Sequence, residues 1–112
     1  MVQSIGSLRR KAEFNLLRKR GRKVYGPWFC IYYLTDYYDN YAKIAFSIPR
    51  YIGKAVERNR RRRQLRSILN THKYDLPGGI YLISVNKGVA GVTFKDMQED
   101  IIKAVYRMSV SR

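Results

Sequence analysis

The chain has 112 residues, about the length of one ordinary domain, and 46% of them are hydrophobic, which is sufficient for a core. Its formal net charge is +15, and an excess of that size predicts a polyanionic partner, either nucleic acid or an anionic membrane surface. Cys30 is the only cysteine and His72 the only histidine, so an internal disulfide and a metal site built from such residues are excluded. No apolar run has the length of a membrane span or the form of a signal peptide, which predicts a cytoplasmic protein that does not enter a membrane.

In the first half of the chain, the pattern predicts one helix followed by two strands. Residues 1–6 have no regular pattern and are predicted to be flexible, whereas residues 7–20 are predicted to form a helix that ends at a glycine. The aromatic and aliphatic segment PWFCIYYL, residues 27–34, predicts a strand. Apolar and polar residues alternate over residues 41–48, which predicts a second strand that pairs with the first as a hairpin.

The second half of the chain predicts a helix, a buried strand and a last helix. The first of these helices lies in the arginine-rich segment AVERNRRRRQLRSILN, residues 55–70. The apolar segment IYLISV, residues 80–85, predicts a buried central strand. The last helix begins near Thr93, with Asp96 three residues later as in a capping box. The order of elements predicts a single α+β domain over residues 1–112, in which the basic helix crosses between two strands.

A helical wheel gives the arginine-rich helix two unlike faces. Leu65, Ile68 and Leu69 fall in one apolar arc. Arg58 and Arg61 share that arc nearer its N-terminal end. The opposite side is polar and mostly cationic, and it comprises Asn59, Arg60, Arg62, Arg63, Arg66 and Asn70. Such a helix can be anchored by its C-terminal turns while its other surface binds an anion.

Three classes of function are compatible with this charge pattern. The first is a subunit of an enzyme that acts on RNA, and the second is a generic structured-RNA-binding protein of the ribosomal type. The third is a basic helix that acts at a membrane surface, which is disfavoured because the helix has too little apolar surface to insert. Charge alone does not separate the first two classes.

The segment GKAVERNRRRRQLRS, residues 53–67, resembles the signature of the bacterial ribonuclease P protein component, roughly G-x-A-V-x-R-N-R-x-K-R-x-x-R. Phe14 before a helix-ending glycine, the aromatic strand, the alternating strand KIAFSI and the strand IYLISV are also similar to that family. The family usually has lysine where this chain has Arg62, and it often has a second aromatic residue where this chain has Arg18. The spacing of the signature favours the first class of function.

The resemblance implies a fold and an activity. The fold is a four-stranded sheet packed with helices, in which the βαβ crossover around the arginine-rich helix is left-handed, against the usual preference. The activity is the endonucleolytic removal of the 5′ leader from precursor tRNA by ribonuclease P. The catalyst is a large RNA with bound magnesium ions, and the protein is its non-catalytic subunit with no organic cofactor. The expected partners are therefore the catalytic RNA and precursor tRNA.

The resemblance also implies two groups of binding residues, and none that are catalytic or bind metal in the protein. The RNA subunit is expected to contact Lys54, Arg58, Asn59, Arg60, Arg62, Arg63 and Arg66. The leader of precursor tRNA is expected in a cleft lined by Phe14, Arg18, Phe29, Tyr32, Arg50 and Tyr51. Two roles are open for Asn59, which can orient the arginines or hold a backbone or metal-bound water contact. Two roles are also open for Phe14, in the cleft or in the core. The acidic residues of the last helix, Asp96, Glu99 and Asp100, are predicted to lie on a solvated face.

Overall fold

Five strands form one mixed sheet in the computed structural model, which describes residues 2–35 and 37–110. The strands are β1 (Ser4–Ser7), β2 (Arg22–Tyr25), β3 (Phe29–Thr35), β4 (Tyr41–Ser47) and β5 (Gly79–Val85), in the spatial order β1-β4-β5-β3-β2. The helices are α1 (Lys11–Arg20), α2 (Ala55–Thr71) and α3 (Phe94–Val110). The predicted α+β class is confirmed.

The central strand of the sheet is β5, as its continuous apolar sequence predicts. It pairs in parallel with β4, where Phe46 lies opposite Ile83, and antiparallel with β3, where Tyr32 lies opposite Leu82. The predicted hairpin between β3 and β4 is therefore wrong, because β5 lies between the two strands. A strand that is apolar on both faces is most stable with a neighbour on each side, and β5 takes that place. Helix α2 joins the parallel strands β4 and β5, while the left-handed sense of this crossover stays a prediction.

The N-terminal segment forms part of the sheet. Residues 4–7 pair in parallel with residues 41–44 of β4, and Val2 is fully buried. The lack of a regular pattern in residues 1–6 thus did not reveal the strand, while their predicted flexibility stays a prediction, and Met1 lies outside the described residues. Because Leu8 N–H still bonds to the carbonyl oxygen of Ile44, at 3.1 Å, the first helix begins only at Lys11. With β1 and β2 added, the sheet has five strands where four were predicted.

The two faces of the sheet carry different layers of side chains. Odd-numbered residues of β3 and β5, such as Ile31 and Ile83, belong to the main core. Even-numbered residues of the same strands, such as Tyr32 and Leu82, belong to a smaller cluster with α1. This separation follows from the alternation of side chains along a strand, and it places α1 on the opposite face of the sheet from α2 and α3.

Both long helices bury the faces that their sequence patterns predict. Leu65, Ile68 and Leu69 of α2 are buried, and so is Arg61, which the wheel places in the same arc. Helix α3 buries its apolar stripe, Met97, Ile101, Ala104, Val105 and Met108, and its N-terminus is capped as predicted, since Asp96 N–H donates to Thr93 Oγ1 at 3.1 Å. Within the described ranges, no helix combines the length and the apolar character that a bilayer span requires.

Candidate nucleic-acid interface

Helix α2 keeps most of its cations at the surface. It is fixed to the sheet by Leu65, Ile68 and Leu69, so that the polar side of the wheel faces solvent. The predicted residues Lys54, Asn59, Arg60, Arg63 and Arg66 are exposed, and Arg58 and Arg62 are partly exposed. The structure thus brings these seven residues together on one helix and the residue before it.

Hydrogen bonds along α2 hold several of these side chains in place. Arg60 makes two bonds to the carboxylate of Glu57, from Nε at 3.2 Å and from Nη2 at 2.8 Å. The bond from Arg60 lowers the pKa of Glu57, so the carboxylate stays ionised at neutral pH. Arg62 Nη1 donates to Asn59 Oδ1 at 2.9 Å, which is the contact expected of a residue that orients an arginine.

We call the accessible surface formed by the arginines of this helix the arginine face; it comprises Arg58, Arg60, Arg62, Arg63 and Arg66. Contacts with other parts of the chain hold both of its ends. At the N-terminal end, Arg58 Nε donates to the carbonyl oxygen of Gly53 at 3.2 Å. At the C-terminal end, the guanidinium of Arg66 lies 5.5 Å from the centre of the Phe46 ring, within the range of a cation–π contact. Guanidinium groups held in this way lose less conformational freedom when they bind phosphate.

A cleft of about 280 Å³ lies between α1 and the face of the sheet on which α1 packs, which is the face away from α2 and α3. It is lined by Phe14, Leu17, Arg18, Tyr32, Ser47, Leu82 and Ser84. The rings of Phe14 and Tyr32 are partly exposed, so they are accessible from the cleft. A second cation lies close by, because Lys23 Nζ is 5.2 Å from the centre of the Tyr32 ring. The cleft therefore combines an apolar lining, two aromatic rings and nearby cations.

Three of the six residues predicted for the leader cleft line it, namely Phe14, Arg18 and Tyr32. Phe29 does not, because it is only 1% exposed and packs edge-on against Trp28 in the main core. The alternation of side chains along β3 explains why Phe29 is buried, because an odd-numbered residue of this strand points away from the face that holds Tyr32. The prediction for Phe29 is therefore wrong.

Arg50 and Tyr51 lie in a 3-10 turn, Arg50–Ile52, that follows β4, and they are not among the residues that line the cleft. The Tyr51 ring is exposed and makes a cation–π contact with Lys87, whose Nζ is 5.4 Å from the ring centre. Leu17 of α1 lines the cleft but was not predicted, and the same holds for Ser47, Leu82 and Ser84 of the sheet. The alternation of β4 and β5 could have identified the three sheet residues once the parallel register of these strands was known.

The acidic residues of α3 do not all lie on a solvated face. Asp100 accepts a hydrogen bond at 2.8 Å from the indole nitrogen of Trp28, which is almost fully buried, and the prediction for Asp100 is therefore corrected. Glu99 and Asp96 are exposed as predicted. Among residues 2–35 and 37–110, no group of three or more His, Cys, Asp and Glu side chains is arranged to hold a metal ion.

A family model described as ribonuclease P matches residues 4–109 of this chain. The chain belongs to the ribonuclease P protein family. Membership makes it a protein component of ribonuclease P, and hence part of a ribonuclease.

Individual ribonuclease P proteins match over nearly their whole length. The ribonuclease P protein component of Gluconacetobacter diazotrophicus is 31% identical over 112 residues, which cover 98% of this chain and 97% of the relative. That of a Nitratiruptor species is 29% identical over 107 residues, which cover 96% and 95%.

Solved structures of the same family show that the fold is shared. The ribonuclease P protein from Thermotoga maritima matches with a TM-score of 0.80 at 24% identity, over 90% of this chain and 96% of that one. A mutant ribonuclease P protein from Staphylococcus aureus matches with a TM-score of 0.82 at 18% identity, over 92% and 87%.

Proposed function

We propose that this chain binds the RNA subunit of ribonuclease P through α2 and the 5′ leader of precursor tRNA through the cleft beside α1. In this way it promotes removal of the leader in the cytoplasm, while the RNA subunit carries out the cleavage. The observation that carries the proposal is the presence of two different surfaces on opposite faces of one sheet. One is a face of oriented arginines, and the other is an aromatic cleft near cations.

The arginine face suits a folded RNA. Guanidinium groups donate paired hydrogen bonds to phosphate, and side chains that are already oriented bind it with less loss of entropy. The deep major groove of an RNA helix is hard for side chains to read, so such a surface recognises backbone and shape. Helix α2 offers several such guanidinium groups side by side, among them Arg60, Arg62 and Arg63, whereas the lining of the cleft has one, Arg18.

The cleft suits a single strand. Unpaired bases stack on aromatic side chains, and cations beside them neutralise the backbone. Phe14 and Tyr32 provide the rings, and Arg18 and Lys23 provide the charge. Of the two RNA ligands, only the leader of precursor tRNA is single-stranded along its length, and we therefore assign the leader to the cleft.

In this proposal the magnesium ions belong to the RNA. Magnesium prefers hard oxygen ligands and keeps several of its waters, and phosphate oxygens of a folded RNA meet that preference. The contribution of the protein is to neutralise phosphates near the cleavage site, which lowers the concentration of magnesium that the RNA needs.

A cleavage assay at low magnesium concentration tests the proposal. Precursor tRNA, the RNA subunit of ribonuclease P and this protein are combined, and each component is omitted in turn. We expect release of the leader to require the RNA subunit and to be strongly stimulated by the protein. Tight binding to the RNA without stimulation of cleavage would instead indicate a generic structured-RNA-binding protein of the ribosomal type.

A further inference from the structure

Glu13 of α1 is a buried carboxylate that binds two side chains from another part of the chain. It is only 4% exposed, and its two oxygens accept separate hydrogen bonds. Tyr38 Oη donates to Oε2 at 2.8 Å, and Lys43 Nζ donates to Oε1 at 3.2 Å. Tyr38 precedes β4, and Lys43 lies on the face of β4 that carries α1. We call these three residues the Glu13 clasp.

The apolar contacts of α1 with the sheet are made by the buried Leu17 and the half-buried Phe14. The helix has ten residues, and the only buried ones are Glu13 and Leu17. The residue before it, Arg10, makes no side-chain hydrogen bond to the first turn. A helix this short is not stable in water by itself, so its position depends on tertiary contacts. The Glu13 clasp is therefore the polar part of what fixes α1, beside the apolar packing of Leu17 and Phe14.

The clasp also fixes the rotation of α1 about its own axis. Successive residues of a helix are about 100° apart, so the direction of Glu13 determines that of Phe14. Phe14 and Arg18 are one turn apart on the side of α1 that lines the cleft. If Glu13 is held by Tyr38 and Lys43, the wall of the cleft that Phe14 and Arg18 form is held as well.

We propose that Glu13 is a positioning residue for the leader cleft: through Tyr38 and Lys43 it sets the place of Phe14, and so the affinity for the precursor leader. This inference rests on the function proposed above, because it assumes that the leader lies in the cleft. Glu13 itself is not a ligand for RNA in this account, since a buried carboxylate would repel phosphate. It also neutralises Lys43, which leaves Arg18 and Lys23 as the cations at the cleft.

The test compares Glu13→Gln with the wild-type protein in the assembled holoenzyme. An amide of the same shape loses the charge and one of the two acceptors. We measure dissociation constants for precursor tRNA and for mature tRNA, the affinity of the protein for the RNA subunit, and the melting temperature of the protein. The matched control is Glu99→Gln, which makes the same change in net charge at an exposed position of α3.

We expect Glu13→Gln to lower the preference for precursor over mature tRNA by roughly five- to tenfold, because a charge-assisted hydrogen bond is lost. The affinity for the RNA subunit should stay unchanged, and Glu99→Gln should leave the preference unchanged. Two milder variants keep the test informative if Glu13→Gln unfolds the protein. Tyr38→Phe removes one hydroxyl group and should lower the preference by about two- to fivefold. Lys43→Arg retains a cation and should preserve most of the preference.

A double-mutant cycle separates a positioning role from simple stabilisation. If Glu13 acts through Phe14, then Glu13→Gln should have little effect on the preference in a Phe14→Leu background. Additive effects, or an unchanged preference in both Glu13→Gln and Tyr38→Phe, would overturn the inference. If the wild-type holoenzyme itself shows no preference for precursor tRNA that depends on the protein, the proposed function fails instead, which is a different result.

Discussion

Arg61 Nη2 donates a hydrogen bond to the backbone carbonyl of Val89 at 3.0 Å, so one cation of the arginine-rich helix is turned into the protein. Its Nη1 donates to the carbonyl of Val92 at 2.9 Å, and its Nε lies 3.4 Å from the carboxylate of Glu57. The side chain is 4% exposed, and burial lowers the pKa of its guanidinium from the ordinary value. Arg61 therefore joins α2 to the segment between β5 and α3.

We expect Arg61→Met to act on stability and not on RNA binding. The substitution leaves the carbonyl of Val92 without its side-chain donor and the carbonyl of Val89 with only the backbone N–H of Val92, and it breaks the ion pair with Glu57. The free energy of unfolding should therefore fall by about 2–4 kcal/mol. Denaturant unfolding followed by circular dichroism measures this change. Arg63→Met is the matched control, because it removes the same charge from an exposed position of the same helix. Equal stability of the two variants would contradict the role assigned to Arg61.

The exposed arginines should control the salt dependence of RNA binding. Arg60→Ala combined with Arg63→Ala removes two cations from the proposed phosphate contacts. Because each such contact releases counterions, the slope of log affinity against log salt should fall by about 1.4 to 1.8. The measurement is a titration with the RNA subunit at several salt concentrations. The control combines Lys95→Ala with Lys103→Ala on α3, and it should leave the slope nearly unchanged. An unchanged slope in the arginine variant would contradict the proposal that α2 binds the RNA subunit.

Phe14 should matter for the precursor and not for the product. Stacking of a base on an aromatic ring contributes roughly 1–3 kcal/mol, so Phe14→Ala should weaken binding of precursor tRNA about tenfold. Mature tRNA has no leader, and its affinity should change little. Phe94→Ala, which removes an exposed ring from α3, serves as control. Equal losses for both tRNAs, or a large fall in melting temperature, would move Phe14 from the cleft to the core.

The Glu13 clasp predicts a dependence of stability on alkaline pH. The hydrogen bond to Glu13 raises the pKa of Tyr38 above its ordinary value of 10.0. A group whose pKa is raised by folding contributes stability that is complete below its unfolded pKa and is lost as pH rises through the folded pKa. Wild type should therefore be more stable than Tyr38→Phe at pH 8, and this difference should shrink above about pH 10. A pH-independent difference in denaturant unfolding would argue against the bond.

The elements that the sequence predicted well are those with a strong repeating pattern. The apolar run of β5, the stripe of α3 and the wheel of α2 each have one stable arrangement, and all three are found in the structure. The wheel even placed Arg61 in the apolar arc. What it could not show is that this arginine would be buried, because its partners are backbone carbonyls far along the chain.

The features that were missed depend on pairing between distant segments. Residues 4–7 carry no strand pattern of their own, and they become a strand only because β4 presents a free edge. The hairpin between β3 and β4 was predicted from closeness in the sequence, whereas the structure pairs both with β5. The wrong assignment of Phe29 had a simpler cause, since counting alternate residues from Tyr32 would have put it on the other face.

The place of β5 in the sheet has a consequence for the order in which the protein can fold during synthesis. Strands β3 and β4 leave the ribosome first, but the strand that joins them follows only after all of α2 has been made. Without β5, the native strand pairs open to the residues already made are only β1 with β4 and β2 with β3, and Leu82 and Ser84 of the cleft lining are missing. The arginine-rich helix thus emerges before any complete sheet exists to support it. A truncated chain of residues 1–78, which keeps the arginine-rich helix but lacks β5, should bind RNA through its charge but should not distinguish a leader.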